Sequence, residues 1–171
     1  MKDFKDKVAV VTGAASGMGL AFAHKFAEEG MSVVLADIEA EALSMAEAAV
    51  KGHGGKVAAL RTNVIVQDDI ERLADAAFNT FGKVHILCNN AGVIASATTF
   101  RSRPWETPLG DWEWIWGVNF MGVLHGIRSF VPRMLENGEG GDIVNTASVA
   151  GFVAGGDRYA FSKLAVVALT E

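Results

Sequence analysis

Cysteine is almost missing from this chain of 171 residues. Cys88 stands alone, so no intrachain disulfide can form, and a reducing environment suits it best. Long apolar runs are missing too: Val8 to Val11 and Leu164 to Leu169 fall far short of the roughly 20 residues that span a bilayer. A membrane-embedded protein is therefore not expected. Basic charge is thin, with 15 Lys and Arg against 20 Asp and Glu and a net charge of -5 at pH 7. The basic residues are scattered, and the stripe that would displace counterions from nucleic-acid phosphates is lacking. The first seven residues mix both charge signs and hold no signal-peptide apolar core, so a cytoplasmic location is expected. His24, His53, His85 and His125 show no ligand spacing, and His85 with Cys88 falls short of a zinc site, so no metal is expected.

What is present is a regular alternation. Half of the residues are apolar, and bursts of four to six of them alternate with longer stretches of helical period. That order marks a parallel sheet covered on both faces. Strands are expected near 7–12, 32–37, 57–62, 84–89 and 142–147, and helices near 17–30, 39–51, 67–81, 111–136 and from 158 to the end. The fold class is α/β, a Rossmann-type doubly wound parallel sheet in a single domain over 1–171. The stretch 95–110 holds Pro104 and Pro108, lacks periodicity and is expected to be a loop on the substrate side. In the helix that follows, Trp112, Trp116, Val123, Ile127 and Phe130 fall on one stripe. Further apolar residues beside that stripe suggest burial on more than one side, including by another subunit. Trp105, Trp112, Trp114 and Trp116 fit either helix packing or a hydrophobic pocket.

The strands share one feature: each ends in small or polar residues. They close on Thr12-Gly13, Asp37, Thr62-Asn63, Asn89-Asn90-Ala91-Gly92 and Ser148. Ligands bind open parallel sheets beyond the carboxyl ends of the strands, so these five ends describe one site. Thr12-Gly13-Ala14-Ala15-Ser16-Gly17-Met18-Gly19 links a strand to a helix, with glycines where backbone must turn or approach a ligand. Free N–H groups and the dipole at that helix start favour a pyrophosphate. The spacing differs from the general Gly-x-Gly-x-x-Gly fingerprint. Asp37, 18 residues beyond Gly19, suits the ribose hydroxyls of adenosine and would repel a 2′-phosphate. Neither Ile38 nor Ser16 is basic, which favours NAD over NADP.

Tyr159 and Lys163 lie four apart on a helix, so both can reach one point. An ammonium beside a phenol, with an oxidised nicotinamide nearby, favours the phenolate and makes Tyr159 a general base for alcohol oxidation. Ser148 can hold the substrate oxygen as charge develops. Asn119 sits on an apolar stripe, where its amide needs partners.

The glycine segment Thr12 to Gly19, Asn89-Asn90-Ala91-Gly92 and Tyr159-Ala160-Phe161-Ser162-Lys163, with Asn119 and Ser148 in order between them, resemble the classical short-chain dehydrogenase/reductase family. The resemblance covers essentially the whole chain. It implies an oxidoreductase, a short-chain alcohol dehydrogenase or ketone reductase, acting on a secondary alcohol or ketone as a homo-oligomer. The catalytic set it implies is Asn119, Ser148, Tyr159 and Lys163, with Asn119 completing a water-mediated relay to Lys163, and Lys163 also binding the nicotinamide ribose. The cofactor set is Gly13, Ser16, Gly17, Met18, Gly19, Asp37, Ile38, Asn63, Val64, Asn90, Ala91 and Gly92, with Tyr159 and Lys163. Asn63 stands where the family often has Asp. Two departures matter: Ser148 and Tyr159 are closer than usual, and family members continue past the tyrosine-bearing helix. The chain is accordingly expected to be truncated at its C-terminal side, leaving the edge of the fifth strand uncovered. The alternative function is a dinucleotide-binding or interaction module without turnover.

Overall fold

The structure, a computed structural model, describes residues 3–53, 55–94, 103–153 and 157–171. Five strands form one sheet: β1 (Val8–Thr12), β2 (Ser32–Asp37), β3 (Val57–Arg61), β4 (Ile86–Asn89) and β5 (Asp142–Asn145). They lie in the order β3-β2-β1-β4-β5, and every neighbouring pair is parallel. The sheet reverses direction of growth between β1 and β4, the crevice where such folds take ligands. Helices α1 (Gly17–Glu28), α2 (Ala40–Lys51), α3 (Gln67–Phe81), α4 (Leu109–Trp116), α5 (Gly122–Glu136) and α6 (Arg158–Thr170) connect and follow the strands.

β1 is buried at every position, the mark of a central parallel strand covered on both faces. Alternation then sorts its side chains. Ala9 and Val11, with Val33 and Leu35 of β2, pack against Ala23 and Ala27 of α1 and Leu43, Ala46 and Val50 of α2. Val8 and Val10, with Val34 and Ala36, face the opposite way onto Ile70, Leu73, Ala74 and Ala77 of α3 and Phe130 and Met134 of α5. β5 differs: Asp142 and Val144 are exposed, and its outer edge pairs with no strand among the described residues. An edge of this kind is open to further pairing.

The strand ends shift by one or two residues from expectation, as boundaries usually do. The helix expected over 111–136 differs in a more consequential way. It begins at Leu109, directly after Pro108, and its middle, Gly117–Met121, is a wider π turn between α4 and α5. One inserted residue shifts helical phase by about 100°. The single stripe read through Trp112, Trp116, Val123, Ile127 and Phe130 therefore breaks: Val123 and Phe130 are buried, while Trp116 is exposed. Of the loop expected at 95–110, residues 95–102 lie outside the described residues, and Leu109 and Gly110 belong to α4.

The amino ends of the strands carry a polar clasp. Val8 N–H donates to His85 Nδ1 at 3.0 Å, so the ring hydrogen sits on Nε2, 3.2 Å from Glu139 Oε2. The same carboxylate accepts from Lys7 Nζ at 2.7 Å and from Lys83 Nζ. No helix among the described residues is long and apolar enough to cross a membrane.

Candidate active site

Two loops at the carboxyl ends of β1 and β4 are stitched together by short polar side chains. Thr12 Oγ1 accepts from the N–H groups of Asn90 (3.0 Å) and Ala91 (3.1 Å) and donates to the carbonyl of Cys88 (3.3 Å). Asn90 Nδ2 donates to the carbonyls of Thr12 (3.0 Å) and Gly13 (3.4 Å), and its Oδ1 accepts from Thr146 Oγ1 at 3.3 Å. Two glycines make this approach possible. Gly13 takes φ +66, and a Cβ on it would stand 2.8 Å from Ala91 Cα; a Cβ on Gly19 would stand 2.1 Å from the carbonyl oxygen of Gly13.

Gly17, by contrast, would point a Cβ into open space. Ser16 occupies the position before α1 without a side-chain bond to the helix start. The first turn of α1 therefore offers its N–H groups and positive dipole end to an anion. Asp37 holds the loop from the β2 side, accepting from Ala15 N–H (3.0 Å) through Oδ2 and from Glu39 N–H (3.1 Å) through Oδ1. Each oxygen keeps a lone pair for a further donor. Asn63 Oδ1 accepts from Ile65 N–H at 3.1 Å, which shapes the segment after β3.

These elements enclose a cleft of about 650 Å³. Gly13, Ser16, Gly17, Met18, Asp37, Ile38, Asn63, Val64, Asn90, Ala91 and Gly92 line it. Gly19 is buried and is not part of the lining. Thr62, at one of the five strand ends, and Trp114, weighed for a pocket, line it as well, and so do Glu39, Ile65, Val93 and Val118, which escaped the sequence reading. Each of those four adjoins a residue that was singled out; periodicity did not settle whether Trp114 faced its helix neighbours or the cleft. Room for an anion at Gly17, the uncapped helix start and a carboxylate at the end of β2 fit a dinucleotide.

Beyond the cleft, α6 meets the π turn. Asn119 is fully buried there: Oδ1 accepts from Val93 N–H at 2.8 Å, and Nδ2 donates to the Val93 carbonyl at 2.9 Å and to Ser162 Oγ at 3.0 Å. Ser162 Oγ passes its own hydrogen to the Tyr159 carbonyl at 2.7 Å. Lys163, 3% exposed, donates from Nζ to the Thr146 carbonyl at 2.7 Å, and burial lowers its pKa. Its Nζ lies 5.8 Å from the centre of the Tyr159 ring. Neither residue lines the cleft.

Ser148 starts a 3₁₀ turn (Val149–Phe152), its Oγ accepting from Ala150 N–H at 3.2 Å. The turn leans on α6 at Gly151, where a Cβ would stand 2.8 Å from Leu164 N. Asp157 then begins α6 by accepting from the N–H groups of Tyr159 (3.0 Å) and Ala160 (3.1 Å). The shortened connection between Ser148 and Tyr159 is thus filled by a 3₁₀ turn and a capped helix start, apart from residues 154–156, which lie outside the described residues. Among the described residues no group of three or more His, Cys, Asp or Glu side chains could hold a metal ion. Cys88 is buried within β4, and burial pushes its pKa up to about 12.

The chain is 40% identical over 168 residues to 1-deoxy-11-beta-hydroxypentalenate dehydrogenase of Streptomyces exfoliatus, covering 96% of this chain and 60% of that one. It is 38% identical to 3beta-hydroxysteroid dehydrogenase 2 of Eggerthella lenta, covering 96% and 63% respectively. Among solved structures, a short chain dehydrogenase/reductase from Burkholderia phymatum in complex with NAD superposes with a TM-score of 0.93 at 48% identity, covering 99% of this chain and 59% of that one. NAD+-bound xylitol dehydrogenase gives 0.91 at 34% identity, covering 99% and 64%. The chain thus spans about three fifths of the length of these relatives. The family model for short chain dehydrogenase matches residues 7–171, and the protein belongs to that family of oxidoreductases with a Rossmann-type fold.

Proposed function

We propose that this chain carries the cofactor-binding and proton-transfer parts of an NAD-dependent oxidoreductase that interconverts a secondary alcohol and its ketone. The observation that carries the reading is the Tyr159–Lys163 pair, with Nζ 5.8 Å from the phenol ring, joined through Ser162 and Asn119 to the loop that borders the glycine cleft. The nicotinamide, when bound, supplies the hydride acceptor for oxidation and the donor for reduction.

Tyr159 exchanges the hydroxyl proton of the substrate, as base in oxidation and as acid in reduction. Lys163 places a positive charge beside it, which favours the phenolate, and holds the nicotinamide ribose. Ser148 Oγ accepts from Ala150 N–H, so its own hydrogen is left to donate to the substrate oxygen. Both amide hydrogens of Asn119 are engaged. Its part in a water-mediated relay to Lys163 therefore falls to one of its oxygens.

Along the cleft, the first turn of α1 takes the pyrophosphate and Asp37 the adenosine ribose hydroxyls. Ile38 and Ser16 offer no cation to a 2′-phosphate, which supports NAD over NADP. Assembly as a homo-oligomer through the outer face of α6, where Phe161 and Leu164 are exposed, belongs to the same reading.

The test is equilibrium binding of NADH and NADPH to the chain and to Asp37→Ala, followed by turnover of a panel of secondary alcohols with Tyr159→Phe alongside. Tighter binding of NADH, lost in Asp37→Ala, and turnover lost in Tyr159→Phe are expected. Binding without turnover on any alcohol or ketone favours the second reading, a dinucleotide-binding module without catalysis. A folded chain that binds neither dinucleotide overturns both.

A further inference from the structure

Trp112, Trp114 and Trp116 fall in turn along α4, and two of the three have ring partners. Trp112 meets Phe161 with ring centres 5.9 Å apart, and Trp116 meets Phe120 at 4.6 Å. Trp114 takes another direction. It is 47% exposed, no ring pair among the described residues includes it, and it lines the cleft together with Val118, one turn further along.

The part of the cleft concerned can be located. Gly92, where a Cβ would stand 3.4 Å from Lys163 Nζ, marks the end of the cleft towards proton transfer, while Asp37, Ile38, Asn63 and Ile65 line it beyond β2 and β3. Gly117, between Trp114 and Val118 in the chain, would set a Cβ 3.4 Å from the Ile65 side chain. That contact puts this helix face beside the segment after β3. Ile38 and Ile65 are themselves exposed and line the same cleft, so Trp114 adds a large flat face to a lining in which apolar side chains alternate with glycine, amide and carboxylate groups. Exposed apolar surface of this kind marks a ligand contact, and an indole offers a flat face to a flat ring.

We infer that Trp114 is the stacking platform for the adenine base of the dinucleotide. The inference rests on the cofactor reading above and deepens it. A purine is apolar on its faces and polar at its edges, which matches an apolar slot between Trp114, Ile38 and Ile65 that opens to water. The indole is 47% exposed and has no ring partner among the described residues, so its removal is expected to act more on ligand binding than on folding.

The experiment is calorimetric titration of ADP-ribose and NADH into the unaltered chain, Trp114→Ala and Trp114→Phe, with circular dichroism as the folding control. Base–aromatic stacking predicts that Trp114→Ala binds both ligands about tenfold more weakly. Trp114→Phe, which keeps an aromatic face, stays within about threefold of the unaltered chain. ADP-ribose also quenches tryptophan emission in the unaltered chain, and the quenching disappears in Trp114→Phe although binding persists. Unchanged affinity in Trp114→Ala, or equal loss in the Ala and Phe variants, overturns the stacking role and leaves the cofactor reading standing. An unaltered, folded chain that binds neither ligand overturns both together.

Discussion

Gly19 and Gly13 approach so closely that a Cβ on Gly19 would stand 2.1 Å from the Gly13 carbonyl oxygen and 2.6 Å from Asn90 Nδ2. The first turn of α1 is therefore seated on the loop that precedes it, with no depth left for a side chain. Gly19→Ala is expected to lower stability by about 1–3 kcal/mol through overpacking and to abolish NADH binding. Gly17→Ala meets no neighbour but must hold φ +54. It should weaken binding at a smaller cost in stability. Urea unfolding and NADH titration of the two variants make the comparison, and equal stability losses would contradict it.

The Asn119 amide ties Val93 and Ser162 to the π turn through three hydrogen bonds. Asn119→Ala removes all three bonds and leaves the partly buried N–H and carbonyl of Val93 without this partner, at a cost of about 1 kcal/mol for each bond lost. Ser162→Ala removes one of the three bonds together with the bond to the Tyr159 carbonyl, and should cost less, about 1–2 kcal/mol. The urea midpoints of the two variants should fall in that order, and the reverse order would show that the π turn is held by something else.

Glu139 joins Lys7, Lys83 and His85 at the far end of the sheet. Hydrogen bonds from Lys7 first, then Lys83 and His85, lower its pKa from 4.5 to about 2. A lowered carboxylate pKa contributes stability above the unfolded value of 4.5, and that stability is lost as pH falls towards 2. The unaltered chain should therefore exceed Glu139→Gln in urea midpoint above that window, and the gap should close across it. A gap that persists at the acid end would assign the effect to packing.

Lys163 carries the opposite dependence. Burial lowers its pKa from the ordinary 10.5. Between the lowered value and 10.5 the unfolded chain binds a proton that the folded chain does not, so stability rises with pH across that interval. Below the interval the folded state bears a buried ammonium. Lys163→Met removes this dependence, and the unaltered chain should gain on it as pH rises from neutrality past 10.5. A constant difference in unfolding free energy between the two would show that Lys163 is well solvated.

Much of this was legible in the residues themselves. Parallel strands buried on both faces read as short apolar runs, so Val8–Thr12 and Ser32–Asp37 stand out without any alignment. Their polar endings place Thr12, Asp37, Asn63 and Asn90 at one sheet edge, because all strands of a parallel sheet deliver their carboxyl ends to the same side. The four-residue spacing of Tyr159 and Lys163 needs only helical geometry, since i and i+4 share a face.

The rest depended on direction and on distance along the chain. The phase of α4 and α5 changes at the π turn, so the stripe through the tryptophans and Phe130 broke. Whether Trp114 faced core, neighbour or cleft was settled only by how α4 packs. The Thr12–Asn90 clasp and the His85–Glu139 contact join residues 78 and 54 positions apart, and no local pattern records such pairs. The sequence by itself determined the order of strands and helices, the loop chemistry and the residue types available for proton and anion handling, because these follow from local periodicity and backbone freedom. Only the tertiary structure decided which polar groups satisfy one another and where each aromatic face is exposed, because burial and contact arise when elements distant in the chain pack together.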